Sequence, residues 1–362
     1  MNRSSLAVLI ISLLAASLSA APVEDAADPS AEALPKVLIV ATGGTIAGVQ
    51  NDPDDPAKYR SGSLSAEQIV ASVPRLEEYA QVESLQFSNL PSSFITPAMW
   101  ISLSRQIEAQ LSRDDLAGVV VTHGTDRLEE TAFFLHLTVR SGKPVVVVGA
   151  QRPATGTSPD GPQNLLDAVR TAASPQAVGK GAMVVMDGRI LSAREARKFY
   201  QRVGGFSTGD MGMLGVVAHD GVEFFFAPTR RHGLSSEFDL SKIEKLPAVD
   251  LRFSYPGGSG PNYAEPPAGV VVANTWFTCA ESAAYLELAR AGTIVVSAFP
   301  SGDNVGRNRE PEDQVPEDEF EQCEGIDENI LEGRWIPPIM APHLTPQKAR
   351  ILLMLALTRS ND

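Results

Sequence analysis

Short apolar runs alternate along this chain with longer segments in which apolar residues recur at helical spacing. The runs at 37–41, 118–122 and 145–148 are almost wholly apolar and rich in valine, which is typical of parallel strands buried on both faces. Further strands are predicted at 183–186, 214–218, 270–273 and 293–298, with an antiparallel addition at 222–226. The alternation predicts an α/β fold: a larger doubly wound N-terminal domain and a smaller α/β C-terminal domain.

Three helices are predicted from their apolar faces. One carries Trp100, Leu103, Ile107 and Leu111, and another Leu128, Ala132, Leu135 and Val139, each set lying on one side of a helix. The last has Thr345 at its N-cap and Pro346 in its first turn, and it should end near Thr358. A shorter helix is expected near 281–290.

The domain boundaries follow from changes in composition. A basic start, an apolar centre over 6–18 and small residues after it predict a secretory signal peptide at 1–21. Residues 22–35, which are rich in Ala, Asp and Glu, are then predicted to form a disordered lead-in. Prolines and glycines accumulate at 247–267, which is the predicted linker between an N-terminal catalytic domain at 36–246 and a C-terminal domain at 268–362. This organisation predicts a periplasmic or secreted protein without a membrane segment after signal cleavage.

The net charge of −14 is concentrated in one segment. Residues 310–332 contain eleven acidic and no basic residues, so the rest of the chain carries only −3. Without a basic stripe, nucleic acid is not expected as a partner. The five histidines lack metal-ligand spacing, and no metal site is predicted. The two cysteines, Cys279 and Cys323, could pair in an exported protein, but spacing alone does not decide this.

Two of the predicted strands end in glycines flanked by hydroxyls. The first ends in Thr42-Gly-Gly-Thr45 and the second in Thr122-His-Gly-Thr-Asp126. Glycine lets the backbone turn sharply and approach a ligand closely, and ligands of open α/β sheets bind at the carboxyl ends of the strands. A threonine nucleophile needs an activator, such as a lysine or a tyrosine, and no G-x-S-x-G elbow competes with it. These segments predict a ligand site that presents side-chain hydroxyls.

Both segments resemble the signature motifs of the bacterial-type L-asparaginase family, which includes exported type II enzymes and glutaminase-asparaginases. The resemblance spans about 36–359 and continues in Lys143–Pro153, in Asp160-Gly-Pro162 with Asn164-Leu165, and in Leu344–Arg350. It implies an amidohydrolase that converts L-asparagine to L-aspartate and ammonia without a cofactor. It also implies a left-handed crossover and a homotetramer built as a dimer of dimers.

The resemblance assigns roles to individual residues. Thr45 matches the nucleophile, and Tyr59, in the loop 49–63, matches the tyrosine that closes over it. Thr125 matches a second catalytic threonine paired with Lys198, which follows an R-[DE]-x-x-K pattern. Whether that pair activates water or the first nucleophile stays open. The substrate contacts implied are Asp126 for the α-ammonium, Ser92 for the α-carboxylate, the backbone of Ala150 for the side-chain pocket and, from a neighbouring subunit, Asn274.

Three departures from the family pattern leave alternatives open. Arg127 stands where threonine or asparagine is usual; we expect it to point away from the pocket, toward a subunit interface or the acidic segment 310–332. The turn 273–279 and the long segment 300–338 also diverge. A glutaminase-asparaginase of broader specificity is one alternative, and an amino-acid-binding homologue with impaired catalysis is another.

Overall fold

The structure, a computed structural model, describes residues 33–52, 55, 58–274, 277–302 and 339–359. Its strands are β1 Lys36–Gly43, β2 Val49–Gln50, β3 Tyr59–Arg60, β4 Gln81–Leu90, β5 Leu116–Thr122, β6 Val145–Val148, β7 Ala182–Met186, β8 Arg189–Ser192, β9 Arg197–Lys198, β10 Phe206–Ser207, β11 Gly215–Val217, β12 Val222–Phe224, β13 Val249–Phe253, β14 Gly269–Ala273, β15 Ile294–Ala298 and β16 Ile339–Met340. Its helices are α1 Ala66–Ala71, α2 Pro97–Leu111, α3 Leu128–Thr138, α4 Gly161–Ala173, α5 Cys279–Arg290 and α6 Pro346–Ala356.

The larger sheet has the order β12-β11-β8-β7-β6-β5-β1-β4. Strands β4, β1, β5, β6 and β7 are mutually parallel, whereas β8, β11 and β12 are added antiparallel. The centre of β1 is fully buried because helices cover both faces of the sheet, which explains its continuous apolar sequence. The layered α/β architecture is as predicted, and the carboxyl ends of four adjacent parallel strands meet at one edge.

Helix α3 is buried on every side rather than on one face. Its predicted face, which includes Leu128 and Leu135, packs into the core of the larger sheet. Phe133, Phe134 and Leu137 on the other side belong to a second apolar cluster shared with α2, β14, β15 and α6. The amphipathic prediction was therefore incomplete, because α3 lies between two layers and both sides of it exclude water.

The smaller sheet is wholly parallel and has the order β13-β14-β15-β16. Its first strand, β13, lies inside the segment 247–267 that was predicted to be a linker; residues 247–248 and 254–267 are outside strands. Helix α6 starts as predicted, with Thr345 accepting from the amide of Lys348, and ends two residues before Thr358. The domain boundaries themselves stay predictions.

Several predictions concern residues outside the described ranges. They are the signal peptide at 1–21, nearly all of the lead-in at 22–35, the acidic segment 310–332 and Cys323. Cys279 is in a disulfide, but its pairing with Cys323 stays a prediction. No helix within the described part of the chain is long and apolar enough to cross a membrane.

Candidate active site

Thr45 is presented by a glycine turn at the end of β1. Gly43 and Gly44 have φ values of 108° and 85°, a region that side chains rarely tolerate, and a short 3-10 turn over Thr45–Ala47 follows. The Thr45 hydroxyl lies 2.8 Å from the hydroxyl of Tyr59 on β3. Gly48 makes room for this contact, because a Cβ there would lie 2.7 Å from the Tyr59 ring. Thr45 is only 8% exposed, so its hydroxyl is held and largely shielded.

The second turn lies directly against the first. A Cβ on Gly44 would lie 2.3 Å from the backbone nitrogen of Gly124, so Gly44 must lack a side chain for the two strand ends to meet. Thr42 adds a hydrogen bond of 2.9 Å to the Thr122 carbonyl. This close approach brings the Thr45 turn and the Thr125 turn to one place at the sheet edge.

Lys198 joins the two side chains that follow β5. Its Nζ donates to the Thr125 hydroxyl at 2.8 Å and to Oδ1 of Asp126 at 2.6 Å. The Lys198 side chain is 13% exposed, while that of Asp126 is 65% exposed. The lysine is thus shielded, and the carboxylate faces the open side, where a cationic group of a ligand could reach it.

Buried His123 supports the second turn but is not available as a base. Its Nδ1 donates to the Gly124 carbonyl at 2.8 Å, so its Nε2, 3.0 Å away, must accept from the Thr131 hydroxyl. Thr131 in turn accepts from the indole nitrogen of Trp100 at 2.8 Å. Burial lowers the pKa of His123 to about 4, so the ring is neutral near pH 7 with both nitrogens engaged. His123 lies within the sequence motif that ends in Asp126, but the motif alone predicted no role for it.

The other predicted substrate contacts also follow strand ends. Ser92 comes after β4, is buried, and packs on Gly124, where a Cβ would lie 2.8 Å from the serine oxygen. Ala150 comes after β6 and is buried. Thus Ser92, Thr45, Thr125 and Ala150 follow four adjacent parallel strands, which is the expected ligand edge of such a sheet.

Two further side chains shape the Ala150 loop. Asp160 accepts from the backbone amides of Gln151 and Arg152 at 2.9 Å. Asn164 donates to the Gly149 carbonyl at 3.1 Å and accepts from the amide of Asp187 at 3.0 Å. Both residues lie in a motif that was recognised in the sequence, but no role was predicted for either. The signal that could have indicated one is the polar Asn164 among the apolar residues of α4.

Arg127 pairs with a carboxylate of its own helix. Its Nη1 donates to Oε1 of Glu130 at 2.8 Å, and the side chains are 50% and 10% exposed, respectively. Burial raises the pKa of Glu130, and Arg127 opposes that shift. Arg127 was expected to meet a subunit interface or the segment 310–332; its partner in the structure is Glu130.

Asn274 is the one predicted contact that lies on the other sheet. It follows β14, and its role in a neighbouring subunit stays a prediction. Among the described residues, no three His, Cys, Asp or Glu side chains are grouped so as to hold a metal ion. The assembled site therefore has two shielded threonine hydroxyls, each bonded to its own polar partner, beside one exposed carboxylate. Such a set can attack a carbonyl and bind an ammonium group.

Comparison with known proteins identifies a family and several relatives to which this chain is similar. The family model "Asparaginase, N-terminal" matches residues 36–230, which is more than half of the chain. L-asparaginase 2 of Bacillus subtilis (strain 168) is 37% identical over 91% of this chain and 84% of its own. A glutaminase-asparaginase of Pseudomonas fluorescens biotype A is 36% identical, covering 91% and 88%. The crystal structure of a probable cytoplasmic L-asparaginase from Campylobacter jejuni superposes with a TM-score of 0.76 at 33% identity, covering 91% of this chain and 96% of that one.

Proposed function

Because the chain belongs to the asparaginase family, we propose that it hydrolyses the side-chain amide of L-asparagine to L-aspartate and ammonia. The observation that carries this proposal is the pair of strand-end threonines, each hydrogen-bonded to a separate partner: Thr45 to Tyr59, and Thr125 to Lys198. We call each threonine with its partner an arm of the site. Two such arms suit a reaction in two steps, acylation and hydrolysis.

In the first step the Thr45 oxygen attacks the amide carbon. A C–O bond forms, the C–N bond breaks, and ammonia leaves with the proton that the hydroxyl gives up, for which the Tyr59 hydroxyl at 2.8 Å is the relay. In the second step water adds to the ester, releases aspartate and restores the Thr45 hydroxyl. Thr125 and Lys198 form the second arm; whether they act on that water or on Thr45 is decided by the step at which their variants stall.

Substrate orientation depends on the groups around the two threonines. Asp126, bonded to Lys198 through Oδ1 and 65% exposed, would receive the α-ammonium with its other oxygen. Ser92 would contact the α-carboxylate, and the backbone at Ala150 would line the side-chain pocket. An ion pair in a site that closes over its ligand is stronger than the same pair in water.

The test is ammonia release from L-asparagine by the wild type and by threonine variants. Thr45→Ala is expected to abolish turnover, whereas Thr45→Ser keeps an attacking oxygen and should retain measurable activity. If Lys198→Met stalls after acylation, it should release a burst of one ammonia per site. That result would assign Thr125 and Lys198 to the hydrolysis step. A Thr45→Ala variant with more than a trace of the wild-type rate would remove Thr45 from the nucleophile role.

A broader specificity is the second candidate, because two glutaminase-asparaginases are 35–36% identical to this chain. Glutamine has one more methylene than asparagine, and a pocket discriminates such a difference by only about 1–3 kcal/mol. Comparing kcat/KM for asparagine and glutamine distinguishes an enzyme specific for asparagine from one of broader specificity. Amide binding without ammonia release would instead indicate a binding homologue.

Self-association as a homotetramer is part of the proposal. The support is an exposed apolar group directly after Lys198, in which Phe199, Tyr200 and Val203 are 48%, 55% and 38% exposed. A neighbouring subunit could cover this group and bring its Asn274 to the site. Sedimentation velocity of the wild type and of Phe199→Ser tests this: a monomeric wild type would contradict it.

We also propose export, on the strength of the apolar leader at 6–18 and the disulfide at Cys279. The test is cell fractionation with N-terminal sequencing of the mature chain. An intact N-terminus in a cytosolic fraction would exclude export.

A further inference from the structure

Lys348, on the C-terminal helix α6, has a buried ammonium whose hydrogen bonds, within the described part of the chain, all go to backbone carbonyls. Its Nζ donates to the carbonyl of Arg194 at 2.8 Å and to that of Ala196 at 2.5 Å. The residue is 1% exposed, and the ammonium lies 5.8 Å from the centre of the Phe133 ring. A side chain from near the end of the chain thus holds two peptide groups about 150 positions earlier.

Those peptide groups lead directly to Lys198. Strand β8 is antiparallel to β7, so it carries the chain away from the edge at which the threonines lie. Residues 193–198 must then return toward that edge, and they pass Phe133, over which the Arg194 guanidinium lies at 5.8 Å. At the end of the return, β9 pairs with the two residues of β10 and with no other strand of the described residues. The large sheet therefore does not fix Lys198 through strand pairing.

A second side chain holds the far end of this return segment. Oε2 of Glu129, on the first turn of α3, accepts from the backbone amide of Lys198 at 2.5 Å. Glu129 lies three residues after Asp126, so it ties Lys198 to the same turn that its ammonium contacts. The Lys348 ammonium therefore holds the segment at residues 194 and 196, and the Glu129 carboxylate holds it at residue 198.

The energetics indicate that the Lys348 ammonium is not there for packing. Burial lowers the pKa of Lys348 to about 8, with the carboxylates of Glu129 and Glu195 opposing that shift. An apolar side chain would cover Phe133 without this desolvation cost. The specific contribution of the ammonium is its contact with the two carbonyls.

We propose that Lys348 and Glu129 are positioning residues for Lys198, which hold the return segment so that the Lys198 ammonium reaches Thr125 and Asp126. The inference rests on the proposed role of Lys198. It makes the C-terminal helix part of the active site's support, although no atom of Lys348 needs to touch substrate.

The first experiment compares two lysines that make the same kind of contact. Lys143 donates to the Arg113 carbonyl at 2.5 Å, before β6 and so at the opposite edge of the sheet. We expect Lys348→Met to lower kcat on the order of 10- to 100-fold with little change in KM, because a displacement of about 1 Å can have that effect. Lys143→Met should stay within about twofold of the wild-type kcat. Equal kcat values for the two variants would overturn the proposal.

A double-mutant cycle separates this inference from the role of Lys198. If Lys348 acts through Lys198, Lys348→Met should cost little further activity in a Lys198→Met background. A full additional loss there would overturn the positioning role. Near-normal activity of Lys198→Met alone would instead refute the proposed role of Lys198, irrespective of what Lys348→Met does.

Glu129 keeps the proposal testable if Lys348→Met fails to fold. Glu129→Gln retains an oxygen that can accept the Lys198 amide proton, whereas Glu129→Leu does not. We expect the glutamine variant to keep most of the wild-type kcat and the leucine variant to lose it, at similar KM. The proposal is wrong if both variants behave alike.

Discussion

Lowering the pH from about 8 to about 5 should destabilise this protein through two buried histidines. His123 is neutral and fully buried beside the Thr125 turn, and burial lowers its pKa to about 4. His136, on α3, donates to the Ala182 carbonyl and stacks on His232 at 4.8 Å; burial, and to a smaller extent His232, lower the pKa of His136 to about 3. Both imidazoles resist protonation only while the protein is folded.

The sign and size follow from proton linkage. The folded-state pKa is depressed, so above about pH 6.5 both states are neutral and neither histidine affects stability. Below that value the unfolded chain takes up protons that the folded one refuses. At pH 5 each histidine should therefore cost about 2 kcal/mol, and this figure hardly depends on the folded pKa once it is well below 5. Two such losses form a large part of a typical total stability of about 5–15 kcal/mol.

The assay is urea unfolding at both pH values and one protein concentration. His123→Gln removes one titrating group, so its loss between the two pH values should be about 2 kcal/mol smaller than that of the wild type. Exposed His219→Gln is the matched control and should leave the loss unchanged. Carboxylates that titrate in this range cancel in the comparison. The same pH-dependent loss in His123→Gln as in the wild type would refute the buried, neutral assignment.

Three further predictions concern the site and its surroundings. Gly48→Ala would place a Cβ 2.7 Å from the Tyr59 ring and 2.9 Å from the Thr45 carbonyl oxygen, so it should displace the Thr45–Tyr59 pair and lower kcat; an unaltered kcat would contradict a need for that contact. Arg127→Thr should leave KM for asparagine nearly unchanged because the guanidinium is paired with Glu130, and a large drop in KM would mean that Arg127 reaches the pocket. Thiol titration of the denatured, unreduced chain should find no free thiol, since Cys279 is in a disulfide.

The central strands were predictable because strands buried on both faces of a sheet have apolar side chains at consecutive positions. Strands β1 and β5 have continuous apolar centres, and the glycines and hydroxyls at their carboxyl ends mark the ligand-binding end of the sheet. That these two strands are neighbours was not in the pattern, however. It depends on the approach of Gly44 to Gly124, a contact between residues 80 positions apart.

Other elements escaped prediction because neighbours outweigh local pattern. Strand β4 contains six polar side chains within ten residues, yet it pairs with β1 over most of its length as an outermost strand of the larger sheet. Strand β13 lies beside prolines and glycines that suggested a linker, but its five residues pair in register with β14. In both cases hydrogen bonds to the neighbouring strand stabilise an extended segment that its own sequence does not predict to be a strand.

The two lysines of the site illustrate the same limit in chemical terms. Lys198 meets a hydroxyl and a carboxylate, side chains that can exchange protons with it or with a ligand. Lys348 meets two peptide carbonyls, which can only accept hydrogen bonds and can only be held in place. Each lysine lies in a segment that resembles a family motif, so residue type and motif cannot tell them apart. The chemistry of its partners distinguishes a reacting lysine from a positioning one. Those partners depend on the path of the chain, which leaves the threonine end of the sheet along β8 and returns to it through residues 193–198.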